Sequence, residues 1–220
     1  MIWDTIANSF DKTRRKPWNI CLEFIESLPS DATIVDLGCG NGRHLIPCSG
    51  HCREVIGLDI SRNLLRIIRE RTKGKSNIHL IHGDLRSLPF EDNVFDAALY
   101  IASLHNIKGR GDRIKTLKEM YRILRENGVG LISVWSRWQD RYRRIFLKKI
   151  FIRRRGEEFG DTIIYWKQSG LNIPRFYHLY SKREFLSDVE EAGFKVDKVV
   201  SVKIVSKKYP DNYFAYVRKT

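Results

Sequence analysis

The segment Val35-Asp36-Leu37-Gly38-Cys39-Gly40-Asn41-Gly42 limits what this chain can fold into more than any other. A short apolar run, Thr33 to Leu37, ends in three alternating glycines. Glycines at that spacing let backbone turn sharply from strand to helix and approach a ligand where a side chain would collide. The same spacing suits a plain tight turn, so the neighbouring acids decide between the two. Asp59 closes the next apolar run 21 residues after Gly38, where a carboxylate can accept both hydroxyls of a ribose. A dinucleotide site offers Gly-x-Gly-x-x-Gly to a pyrophosphate. Here the third glycine comes one residue early, and Asp36 at the loop entrance would repel a pyrophosphate while suiting a cationic sulfonium nucleoside. Asp84, in His82-Gly83-Asp84-Leu85, follows the third apolar run and is placed to bond an adenine edge.

Around this loop, strand patterns alternate with helical ones. Strands are predicted over Thr33 to Leu37, Glu54 to Leu58, Ile78 to Ile81, Val94 to Ile101 and Val129 to Trp135. Helical spacing marks Asn19 to Leu28, a helix beginning over Gly42 to Cys48, Ser61 to Arg71, and Asp112 to Leu124. Ser181 to Ala192 reads as a helix opened by a Ser181/Glu184 capping box and closed at Gly193. Lys195 to Val205 and Asn212 to Val217 form a terminal hairpin. The fold class is therefore α/β, a Rossmann-like, doubly wound, mostly parallel seven-stranded sheet with a C-terminal antiparallel hairpin. At 220 residues the chain reads as one domain, 1–220, with residues 1–32 as an N-terminal cap helix region over substrate and cofactor.

A formal charge of +14 points to a polyanionic partner. Arg137 to Arg155 holds nine basic residues against one acid, Asp140, and the resulting +8 is over half of the excess. Trp138, Tyr142, Ile145, Phe146 and Ile150 fall at helical spacing there, which predicts an amphipathic cationic helix. Three roles compete for it: tracking RNA phosphates, lying on an anionic membrane surface, or a solvated lid. The four cysteines, Cys21, Cys39, Cys48 and Cys52, crowd the first quarter and read as reduced thiols. Cys48-Ser49-Gly50-His51-Cys52 lacks a second ligand pair at zinc spacing, so no metal is expected. Neither a signal peptide nor a membrane span is expected, and the location is read as cytoplasmic.

Asp36, Asp59 and Asp84 around the glycine loop resemble the class I S-adenosylmethionine methyltransferases over Thr33 to about Trp135. The resemblance implies S-adenosylmethionine held by Asp36, Gly38, Cys39, Gly40, Asn41, Gly42, Asp59, Ile60, Asp84 and Leu85. Further blocks, Ser9 to Trp18, Leu104-His105-Asn106, Ile132 to Trp135, Gly160 to Trp166 and Arg175-Phe176-Tyr177-His178-Leu179-Tyr180, are similar to the tRNA wobble-uridine methyltransferases, including the domain fused to an AlkB-like hydroxylase in some animal proteins. That family esterifies the carboxylate of 5-carboxymethyluridine. Carried over by position, Arg14, His105, Trp135, Arg175, Tyr177 and His178 would line the acceptor pocket. Four of them have a plainer reading: Arg14 in a solvated basic run, His105 as a satisfied structural histidine, and Trp135 and Tyr177 as ordinary core aromatics.

An ionised carboxylate needs alignment, a cationic clamp and exclusion of water, but no general base. The charge distribution places tRNA on Lys12, Arg15, Lys16, Arg141, Arg143, Arg144, Lys148, Lys149, Arg153 and Arg154, with residues 136–180 as a basic insertion facing RNA. The resemblance also implies a small zinc-binding activator protein paired as a heterodimer along Ile78 to Ile81. The competing reading is a small-molecule methyltransferase, which would present an apolar lid and turn over without RNA.

Overall fold

The computed structural model describes residues 1–150 and 156–220. Five strands run parallel: β1 (Thr33–Leu37), β2 (Glu54–Asp59), β3 (Ile78–His82), β4 (Phe95–Ile101) and β5 (Leu124–Trp135). Two more, β6 (Asp161–Trp166) and β7 (Ile173–His178), pair with each other apart from the main sheet. The closing hairpin, β8 (Lys195–Val202) and β9 (Asn212–Arg218), joins antiparallel beside β5, which gives the order β3-β2-β1-β4-β5-β9-β8. The seven-stranded sheet and its antiparallel hairpin are those expected from the sequence.

Among the described residues, seven α-helices flank the strands: α1 (Ile2–Thr13), α2 (Asn19–Glu26), α3 (Leu45–Cys48), α4 (Arg62–Arg71), α5 (Arg110–Ile123), α6 (Arg143–Lys149) and α7 (Lys182–Glu191). Apolar runs in the parallel strands are continuous because both faces are covered. On one face, Leu117 and Met120 of α5 and Phe185 and Val189 of α7 pack with Val35, Tyr100 and Ile132. On the other, Phe24 of α2 and Leu65 and Ile68 of α4 pack with Ile34, Val55 and Leu131. The strand order reverses between β1 and β4, so a crevice opens at their C-terminal ends, the usual ligand position in such sheets.

Two expectations need correction. The helix expected over Gly42 to Cys48 shrinks to the single turn Leu45–Cys48, because the chain is still turning through Gly42, at φ +80°. The cap helix region, 1–32, holds two helices, and the first, α1, is fastened by Asp4, whose Oδ1 accepts from Ser61 Oγ (2.8 Å) and Asn63 N (3.0 Å). The long cationic helix is α6 alone, 7 residues. Arg137 is buried in an ion pair with Glu184, while Tyr142 and Phe146 insert between Ile164, Tyr177 and Leu179. Ile145 and Ile150 stay exposed, so the helical spacing did not mark one buried face. Arg153, Arg154 and Arg155 lie outside the described residues.

Candidate active site

The glycine loop leaves β1 with Gly38 at φ +73° and Gly40 at φ +57°, values that L side chains rarely adopt. A Cβ on Gly38 would stand 2.4 Å from Ser103 Oγ, so no larger residue fits. Above the loop lies a cavity of about 550 Å3. Asp36, Gly38, Cys39, Gly40, Asn41, Asp59, Ile60, Asp84 and Leu85 line it, so nine of the ten residues expected at the cofactor converge there. Gly42 is the exception, packing against Ile68 instead.

The acids differ in state. Asp59 holds the loop in shape, its Oδ2 accepting from Gly40 N (2.7 Å) and its Oδ1 from Ser61 N (2.8 Å). Burial raises its pKa, and those backbone donors oppose the rise. Asp84 is gripped by Arg86 (2.7 Å), which holds its carboxyl below the ordinary range. Arg86 reaches on to Asp112 at 3.2 Å and closes one rim of the cavity. Asp36 is 2 % exposed, and its Oδ2 has no hydrogen-bond partner. Burial first, then the nearby Asp59, pushes its pKa up to about 7, with Arg43 pulling the other way. An orphaned buried carboxylate oxygen facing a cavity is unstable unless a cation completes it. S-adenosylmethionine, with its ammonium and sulfonium, supplies one.

A linkage prediction follows from Asp36. In the free protein its carboxyl carries a proton below about pH 7, whereas a cationic ligand favours the ionised form. Binding at pH 6 should release about one proton, and cofactor affinity should fall as pH drops from 8 to 5. For folding the sign is opposite. The raised pKa gives a contribution fully present below the ordinary value of 3.8 and lost as pH rises through about 7. Calorimetric titration in two buffers of different ionisation heat reads the proton count. Equal release by wild type and Asp36→Asn would show that another group titrates.

The opposite wall of the cavity is aromatic and basic. Trp135, at the end of β5, lies parallel to Tyr177 of β7, with centroids 5.0 Å apart at 14°. His105 sits in a one-turn 3-10 helix after β4 and stacks on Tyr177 at 5.4 Å. Its Nδ1 accepts from Trp135 N (3.2 Å), which places the ring proton on Nε2. Burial, reinforced by Arg175 and His178, holds the His105 pKa down to about 3. Burial likewise lifts the Tyr177 hydroxyl to about 12, so it remains a neutral donor.

Arg175 enters from β7 with its guanidinium over Trp166 (4.8 Å), Tyr177 (5.0 Å) and Trp3 (5.6 Å). It is 6 % exposed, its Nε has no hydrogen-bond partner, and it makes no ion pair among the described residues. Arg14, after α1, lies 5.6 Å over the same Trp166 ring. The only hydrogen bond of its guanidinium among the described residues runs to its neighbour's carbonyl, Thr13 O. Two guanidiniums without acids therefore face one cavity.

Five of the six residues expected around the acceptor, Arg14, His105, Trp135, Arg175 and Tyr177, line this cavity. His178 does not, because strand alternation turns it to the other face of β7 from Arg175 and Tyr177. There its Nδ1 lies 2.8 Å from Asp161 and its Nε2 2.9 Å from Glu184. Glu158, His178 and Glu184 come close enough to hold an ion, but Arg113 and Arg137 already compensate both glutamates, so the cluster is an ion-pair network. Sequence reading did not single out Trp3, Phe10, Trp166, Ser103 or Lys108, all of which line the cavity. Phe10 and Trp166 carried a signal, inside the Ser9 to Trp18 and Gly160 to Trp166 blocks; Trp166 Nε1 donates to Ser9 Oγ (2.9 Å) and ties β6 to α1.

Of the cations expected at RNA, Lys12, Arg15, Lys16, Arg141, Arg144 and Lys148 are exposed. Arg143 leans over Tyr209 at 5.0 Å, and Lys149 faces Glu157 at 3.8 Å.

A glycine-turn nucleoside site at the sheet's switch point, with an acid awaiting a cation, defines an S-adenosylmethionine-dependent methyltransferase. Residues 35–132 match the methyltransferase domain family. The tRNA (carboxymethyluridine(34)-5-O)-methyltransferase of Schizosaccharomyces pombe is 30% identical over 213 residues, 87% of this chain and 86% of that one. The chain belongs to that family of methyltransferases. The Xenopus tropicalis tRNA (carboxymethyluridine(34)-5-O)-methyltransferase alkbh8 is 39% identical over 139 residues, 63% of this chain; the chain spans only 21% of that longer protein. Among solved structures, a Methanosarcina mazei S-adenosylmethionine-dependent methyltransferase shares the fold with TM-score 0.77 at 19% identity, covering 93% of this chain and 98% of its own. A Haloferax volcanii putative methyltransferase, in complex with the Trm112 methyltransferase activator, does so with TM-score 0.69 at 16% identity, covering 99% and 97%. No helix among the described residues is long and apolar enough to cross a membrane.

Proposed function

We propose that this enzyme methylates the carboxylate of 5-carboxymethyluridine at the tRNA wobble position. The observation that carries the reading is Arg175, a buried guanidinium without an acid partner, with Arg14 beside it. Leaving such a charge uncompensated is costly unless an anionic ligand completes it, and an arginine fork matches a carboxylate. His105 argues the same way. With its pKa near 3 it is too weak a base to take a proton from a hydroxyl or amide acceptor, whereas a carboxylate arrives ionised.

Bound S-adenosylmethionine supplies the electrophilic methyl group. Arg175 and Arg14 hold the acceptor carboxylate, His105 Nε2–H and the Tyr177 hydroxyl stand ready as neutral donors, and the Trp135–Tyr177 stack offers a face to a uracil extruded from its loop. The aromatic walls exclude water, which would otherwise solvate the nucleophile. Exposed cations at Lys12, Arg15, Lys16, Arg141 and Arg144 suit a polyanion larger than a free nucleoside. The test is incubation with labelled S-adenosylmethionine and tRNA carrying 5-carboxymethyluridine, followed by nucleoside mass spectrometry. Label is expected in the uridine methyl ester; label in small molecules or protein alone overturns the reading.

A heterodimer with a small zinc-binding activator is proposed on the edge of the sheet. β3 is an outermost strand, its Ile78, Leu80 and Ile81 are half-buried, and the Haloferax volcanii relative in fold is in complex with the Trm112 methyltransferase activator. Co-expression with an activator of that kind should raise soluble yield and activity, and the two should co-elute on size exclusion. Full activity of the isolated monomer would count against it.

A further inference from the structure

A second groove, of about 540 Å3, lies outside the candidate active site, and Lys108 lines both. Its walls are apolar: Ile145 from α6, Ile163 and Phe176 facing each other across β6 and β7, and Phe159. Ile163 is 52% exposed and Ile145 40%, so the groove opens to solvent.

Its charges are uneven. The acids are occupied, Glu158 by Arg113, Asp161 by His178 and Glu157 by Lys149. Lys108 and Lys148 have no acid partner among the described residues, and Phe151-Ile152-Arg153-Arg154-Arg155 contains no acid to offer. An apolar slot rimmed by free lysines, on the His178 face of β7 and meeting the candidate active site at Lys108, fits the chemistry of a single-stranded nucleotide: a flat base inside and phosphates on the cations. A small acceptor would have no group reaching beyond Lys108.

We infer that this groove binds the nucleobase adjacent to the acceptor uridine, with Lys108 and Lys148 on the flanking phosphates. The inference rests on the tRNA reading above and adds to it a second base that the enzyme holds.

The experiment measures methyl transfer by the full chain to an anticodon stem-loop carrying 5-carboxymethyluridine. Two further stem-loops are abasic at one or the other neighbouring position. Ile163→Glu and Lys148→Glu change exposed side chains, so both should fold, as a Tm scan verifies. Each is expected to raise KM for the intact stem-loop about tenfold, with cofactor affinity within about twofold. One abasic stem-loop should raise the wild-type KM by a similar factor, and combining it with either variant should add little, as groups in contact are not additive. Unchanged KM in both variants, or fully additive losses, overturns the inference while leaving the acceptor reading intact. No transfer to the stem-loop by wild type sinks both.

Discussion

Arg175→Met should lower kcat/KM for the carboxylate acceptor about 1,000-fold, as loss of an aimed donor to a reacting anion does, while S-adenosylmethionine affinity stays within about twofold. The same substitution should not destabilise the fold. Arg175 is buried among Trp3, Trp166 and Tyr177 with no acid beside it, and burial lowers its pKa, a sign of an unsatisfied charge. Replacing it with an apolar chain of similar length removes that burden. The melting temperature should hold or rise, by roughly 2–4 °C for each kcal/mol relieved. Arg175→Lys keeps the charge but not the fork and should stay well below wild type in kcat/KM. The pair of readouts is the check: steady-state kinetics with tRNA and a thermal scan. A variant that loses Tm along with activity would mean that Arg175 is a structural cation, and the carboxylate reading would lose its main support.

How much of this was legible in the sequence depends on the range of the interactions involved. The residues expected at the cofactor come together because each determinant is local: a five-residue apolar run, a turn that only glycine can make, and an acid at the end of the next strand. Asp36, Gly38, Gly40 and Asp59 meet because parallel neighbours bring strand ends together, so spacing along the chain maps onto position. The acceptor side is assembled from distant pieces. Trp3 and Arg14 come from either end of α1, His105 from the turn after β4, and Arg175 and Tyr177 from a two-stranded sheet outside the main one. Neither β6 nor β7 was expected. Asp161 to Trp166 alternates imperfectly, with Ile163 and Ile164 adjacent, and the basic stretch before it pointed to a long helix. Helical spacing of Trp138, Tyr142, Phe146 and Ile150 misled for a physical reason. Two of these side chains enter a small core of their own with Tyr177 and Leu179, which is visible only once β7 is in place. Composition announced the charge of this region but could not tell a cation at the surface from Arg137, whose partner Glu184 lies 47 residues away.

His178→Leu should behave in the opposite way to Arg175→Met, although the two residues lie three apart on one strand. Motif position alone put them in the same pocket; the pleat puts them on opposite faces. Both imidazole nitrogens of His178 lie within 2.9 Å of carboxylate oxygens, on Asp161 and on Glu184. Arg113, fully buried, pairs with Glu158, and Arg137 pairs with the same Glu184. Three bases and three acids thus lock β6, β7 and α7 to α5 and to the turn after β5. Removing the imidazole leaves Asp161 and Glu184 short of a donor in a largely buried cluster, a loss of about 3–5 kcal/mol for broken pairs of this kind. For a chain of this size that lowers Tm by roughly 10 °C. Activity measured well below the new midpoint should fall far less than in Arg175→Met, and through KM for tRNA, because β7 still presents Arg175 and Tyr177 but less rigidly. Full thermal stability with activity lost to the depth of Arg175→Met would put His178 back at the chemistry and refute the placement on the outer face. The strand divides its labour by alternation, an uncompensated guanidinium toward the cavity and a hydrogen-bonded imidazole toward the core. Stability and turnover measured together on these two variants separate the roles that the sequence had merged.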